Sequence, residues 1–85
     1  MDNREYFLKK LVFRATHRGT REMDIYLGGF IKDYINQLTD EELNEFKEIL
    51  RFSDKQLSDW LIYNKKNEKI EAINISNKLK KYKFK

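Results

Sequence analysis

The chain has 85 residues, 40% of them hydrophobic and 38% charged, with a formal net charge of +4. That apolar content supports one modest core, which argues against both a disordered chain and a second domain. There is no cysteine and only one histidine, so disulfides, thiolate chemistry and Cys- or His-rich metal sites are excluded.

Proline is absent and there are three glycines, while Lys, Glu, Leu and Ile are abundant. This balance predicts an all-α fold. No run approaches the roughly 18 apolar residues of a membrane span. The first residues, Met1 to Glu5, carry acids and lack the apolar stretch of a signal peptide. A cytoplasmic, bacterial protein without membrane insertion is the simplest expectation. Charge is segregated along the chain: residues 1–22 sum to +3, residues 23–63 to −5 and residues 64–85 to +6. A basic end of this kind is ordinarily solvated and frays. Its other use is contact with an acidic partner or nucleic acid.

The first predicted helix covers residues 4–15, where Leu8, Leu11, Val12 and Ala15 recur on one face. A break follows near Thr16–Gly19, with Thr20 as the expected N-cap. A second helix over residues 21–36 collects Met23, Tyr26, Leu27, Phe30, Ile31, Tyr34 and Leu38 on its core side. Its other side carries Arg21, Ile25, Gly28 and Lys32, with Gly29 beside them. Two adjacent glycines cost about 2 kcal/mol of helix propensity relative to alanine. They mark either a local kink or a place where another protein's backbone comes close to Ile25 and Arg21.

Two capping boxes then announce helices. Thr39 with Glu42 opens one that runs to about Arg51 and buries Leu43, Phe46, Ile49 and Leu50. Ser53 with Gln56 opens another that buries Leu57, Trp60 and Leu61. A last helix is expected from Glu68 to Tyr82, with Ala72, Ile75, Leu79 and Tyr82 on one face. The expected whole is a single domain over residues 1–85, a five-helix bundle with a basic tail from about residue 65.

The chemical inventory is poor. His17 beside a helix end reads as a surface residue, and the chain has no phosphate-cradling glycine loop. Glu41 and Glu45 sit at i, i+4 on an acidic helix, which is ordinary solvated surface. No catalytic residue and no metal site are assigned, and the chain is not expected to be an enzyme.

Binding is better supported. Arg18, Gly19, Arg21 and Glu22 cluster within one turn of a helix start, followed by Asp24 and Ile25. Arg can grip a partner carboxylate with two parallel bonds, and glycine leaves room for an approaching chain. An internal Arg18–Glu22 pair at i, i+4 is the structural alternative, worth a few tenths of a kcal/mol. Composition alone does not choose between the two.

The run Arg18-Gly19-Thr20-Arg21-Glu22-Met23-Asp24 resembles the R-G-x-x-E signature of the SdhE/YgfY family, the FAD assembly factors of succinate dehydrogenase. The resemblance covers about residues 4–64, including the helix start at Leu38–Glu42 and the segment Leu57-Ser58-Asp59-Trp60-Leu61. It implies a five-helix protein that binds the flavoprotein subunit of succinate dehydrogenase or fumarate reductase and promotes covalent attachment of FAD. FAD would be carried by that partner, with no cofactor stably bound here. Arg18, Gly19 and Glu22 would be partner contacts, with Arg21 and Asp24 in support and Ile25 alongside. The position before the signature is often Arg in relatives, and here it is His17. The tail from Lys65 has no family pattern. The same resemblance carries the label of a CptB-type antitoxin, which would bind a different protein. A small nucleic-acid binder remains the alternative from charge alone. A monomer is expected.

Overall fold

A computed structural model describes residues 3–82. Among them the fold is all-α, with six helices and no strand: α1 (Asn3–Thr16), α2 (Arg21–Tyr34), α3 (Asp40–Ile49), α4 (Asp54–Leu61), α5 (Glu68–Glu71) and α6 (Ser76–Lys81).

The two boxes form as expected. The Thr39 hydroxyl accepts from the Glu42 amide while the Glu42 carboxylate accepts from the Thr39 amide. Ser53 and Gln56 repeat this at the start of α4. Each box satisfies amides that a helix start otherwise leaves without partners. Thr20 behaves differently. It has the extended backbone of a cap, but its side chain makes no capping bond. The Asp24 carboxylate closes that corner instead, accepting from the Arg18 amide at 2.6 Å.

One core draws on all six helices. Leu11 and Ala15 come from α1, and Met23, Leu27, Phe30 and Ile31 from α2. Leu43, Phe46 and Ile49 come from α3, Leu57, Trp60 and Leu61 from α4, and Ile70 and Leu79 from α5 and α6. Phe30 stacks on Phe46 with ring centroids 5.7 Å apart. Each buried Leu, Ile, Met or Phe contributes about 1.5–3 kcal/mol.

The five-helix expectation needs correction at the C-terminal end, where one predicted helix is two short ones. In an unbroken helix Ile70 and Ile75 would point about 140° apart. The break at residues 72–75 turns both inward, to 0% and 1% exposure, and leaves Ala72 outside. Asn67 caps α5 by accepting from the Ile70 amide.

The basic end is held against the fold as far as Tyr82. Lys78 pairs with Glu42. Lys80 lies 4.7 Å over the Trp60 ring and donates to the Trp60 carbonyl. Tyr82 donates to Asp33 at 2.7 Å, and Tyr26 donates to the Tyr82 carbonyl at 2.7 Å. Burial and the Asp33 carboxylate together push the Tyr82 phenol up to about 12. The expected fraying at the extreme end falls on residues 83–85, outside the described residues.

Candidate functional site: the α1–α2 corner and its groove

The corner begins with a glycine whose conformation the chain needs. Gly19 has φ +98°, which an L side chain rarely adopts. This lets the chain reverse between α1 and α2 in four residues, and it sends Arg18 and Arg21 to different sides.

Arg18 turns inward. Its side chain is 12% exposed, and three of its nitrogens are engaged across the fold. Nε donates to Asp54 Oδ1 at 2.7 Å, one terminal nitrogen to the Leu50 carbonyl at 2.6 Å, and the other to the Phe52 carbonyl at 2.5 Å. The two carbonyls belong to the turn between α3 and α4, where helix-end acceptors seek donors. Arg18 therefore bolts the α1–α2 corner to the α3–α4 turn. Its guanidinium is not poised for a partner carboxylate, and it does not form the i, i+4 pair with Glu22. Its ion pair is with Asp54, 36 residues away.

The remaining site residues face differently. Arg21 and Glu22 are exposed and enter no ion pair among the described residues. Arg21, Asp24 and Ile25 line an open groove with Gly19, Gly28 and Gly29, and Lys32 stands at its far end. Glu22 lies outside this lining. The corner thus brings Gly19, Arg21, Asp24 and Ile25 together, sets Glu22 beside them and withdraws Arg18 behind them.

Gly28 has a use that the sequence pattern does not reveal. It is buried, and a β-carbon there would come within 2.6 Å of the Thr16 γ-methyl. Thr16 cannot easily retreat, because its hydroxyl donates to the Val12 carbonyl at 2.8 Å. The glycine admits the end of α1 rather than a foreign backbone, and this close crossing forms the groove's wall. His17 is exposed and stacks on Phe13 with centroids 4.0 Å apart. Its Nδ1 lies 2.9 Å from the Phe13 carbonyl and 3.0 Å from the Thr16 hydroxyl.

Sequence reasoning missed Asp54, Leu50 and Phe52 as partners of Arg18, and Thr16 as the reason for Gly28. Only a cation's general affinity for helix-end carbonyls hinted at the first.

Fold and corner together define a small all-helical protein with a charged, glycine-floored concavity where its first two helices meet. Among the described residues no group of acids and histidine could hold a metal, and no helix is long and apolar enough to cross a membrane. The family model for Sdh5, the flavinator of succinate dehydrogenase, matches residues 9–83, and the chain belongs to that family. It is 45% identical over 60 residues to the FAD assembly factor SdhE of Acetobacter pasteurianus, a match covering 71% of this chain and 55% of that protein. It is 36% identical over 69 residues to the SdhE of Legionella pneumophila (strain Lens), covering 81% and 84% respectively. A mitochondrial succinate dehydrogenase assembly factor 2, from Lodderomyces elongisporus, is 36% identical over 55 residues, covering 65% of this chain and 34% of that one. The chain therefore spans about half of the Acetobacter protein and most of the Legionella one. No solved structure matches it significantly.

Proposed function

We propose that this protein binds the flavoprotein subunit of succinate dehydrogenase, or of fumarate reductase, and promotes the covalent attachment of FAD to it. The observation that carries this reading is the open groove of Gly19, Arg21, Ile25 and Gly29, placed on the signature that gives the family its resemblance. Arg21 offers planar, two-pronged recognition of a carboxylate, and Ile25 offers an apolar contact beside it. Glu22, next to the groove and unpaired, accepts from a partner's cation or amides.

The bond-forming chemistry belongs to the flavoprotein, whose own residues and FAD react. The residues of this chain bind and orient that subunit. They supply cations at Arg21 and Lys32, and in this reading FAD is carried by the partner. Two tail lysines that favoured nucleic acid are engaged within the chain, on Glu42 and Trp60, which weakens that alternative.

The test is in-gel flavin fluorescence of the flavoprotein subunit, co-expressed with the wild-type chain, with Glu22→Ala, or with no partner. Fluorescence should be strong with the wild type and low in the other two, with Glu22→Ala retaining full helicity. Equal fluorescence in all three would refute the proposal.

A further inference from the structure

We propose that the dent between α1 and α3 is a second protein-docking surface, one that takes an acidic segment bearing an aromatic or branched apolar side chain. Tyr6, Phe7 and Leu11 make up its apolar lining, and Lys10, Arg14 and Lys47 supply cations among and beside them. The cavity measures about 190 Å³, room for one large side chain rather than a helix. It lies on a different flank of α1 from Thr16, which walls the groove at the α1–α2 corner. It therefore stands independently of the flavoprotein reading.

The charge argument starts in the sequence. An acid three or four residues away on the same helix can pair with a cation. None of these three has one. Lys10 is flanked at those spacings by Tyr6, Phe7, Phe13 and Arg14; Arg14 by Lys10, Leu11, His17 and Arg18; Lys47 by Leu43, Asn44, Leu50 and Arg51. Lys10 and Arg14 are themselves i, i+4, a like-charge spacing that opposes the helix.

The fold supplies no remedy. None of the three enters an ion pair among the described residues, and Lys10 rests only on the Tyr6 ring, 5.7 Å from its centroid. Other cations of the same two helices or just beyond them are paired: Arg4 with Asp40, Lys9 with Glu5 and Arg51 with Glu48. No acid lines the dent. Tyr6 is 59% exposed at its mouth, an aromatic ring left wet beside three uncompensated cations. Carboxylates flanking one apolar anchor satisfy both features at once, the anchor in the dent and the acids on its rim.

The experiment is fluorescence anisotropy of the full chain with a labelled synthetic peptide, one phenylalanine flanked on both sides by Asp and Glu. Arg14→Glu/Lys47→Glu should weaken binding about tenfold or more, while Lys65→Glu/Lys66→Glu, far along the chain, should change it less than about twofold. Circular dichroism melts check that both variants fold. Because a misfolded double variant would also lose binding, a second arm uses a peptide with Lys flanks, which should bind the double variant better than the wild type. A peptide with Ser in place of Phe should bind several-fold more weakly than the parent, in keeping with an apolar anchor. Equal binding of the Phe and Ser peptides would overturn the proposal, as would equal loss in the two charge variants. Binding of a DNA duplex that the Asp/Glu peptide cannot displace would assign the cations to phosphates instead.

Discussion

Arg18 and Arg21 stand three residues apart in the same short signature, yet they live in different environments. Arg18 is almost sealed, with its guanidinium shared among Asp54 and the carbonyls of Leu50 and Phe52. Arg21 is exposed, unpaired and on the groove. The positive φ of Gly19 separates them by turning the chain between the two. A compact motif of this kind holds two kinds of placement: one residue secures the corner, and its neighbours line the surface that the corner creates. Loss of function on mutation would look alike at both positions unless stability is measured beside binding.

That contrast can be broken most severely at Arg18. Replacing it with Met removes three donors and leaves two turn carbonyls and a partly buried carboxylate without their partner. A buried ion pair broken on one side costs several kcal/mol, and Asp54 keeps some access to water, so the expected loss is about 2–4 kcal/mol. Chemical denaturation should show it as a lower midpoint with unchanged slope. A loss below about 0.5 kcal/mol would mean the bolt is ornamental.

A smaller effect is expected at Gly28. Alanine there gains about 1 kcal/mol of helix propensity but drives its β-carbon into the Thr16 methyl, and the crowding costs about 1–3 kcal/mol. The net should be destabilising by about 1 kcal/mol. Adding Thr16→Ser removes the methyl and should reverse the sign, which a double-mutant cycle by denaturation would detect.

The smallest effect concerns the far end of the molecule. Tyr82 is raised from 10.0 to about 12 in the folded chain. A group raised on folding contributes stability that is complete below its unfolded value and is lost as pH climbs through its folded value. Stability should therefore fall between pH 10 and about 12 as the phenol ionises beside Asp33. Tyr82→Phe should flatten that part of the profile, read from thermal melts across the range.

The same contrast explains what could be read before folding. The capping boxes at Thr39 and Ser53 were legible because every partner lies within one turn. The core faces of α2, α3 and α4 were legible because burial repeats with the helix period. Arg18 was not, since its acceptors lie 32 to 36 residues away and two of them are main-chain carbonyls that any residue could provide. The α5–α6 break was illegible for a related reason: the pull on Ile70 and Ile75 comes from the core, not from a breaker residue. Gly28 announced that something comes close but not that it is Thr16. Of the six residues that the sequence singled out, Gly19, Arg21, Asp24 and Ile25 share one groove, while only the structure sets Glu22 beside it and Arg18 behind it.

The most direct measurement is the affinity of Arg21→Glu for the isolated flavoprotein subunit, by calorimetry, with its thermal melt taken in parallel. Arg21 opens α2, where an acid suits the helix's positive end, so the melt should stay level or rise slightly. The account predicts binding at least about tenfold weaker in a fully folded chain, a change of roughly 1.4 kcal/mol. Wild-type affinity in that variant would contradict it.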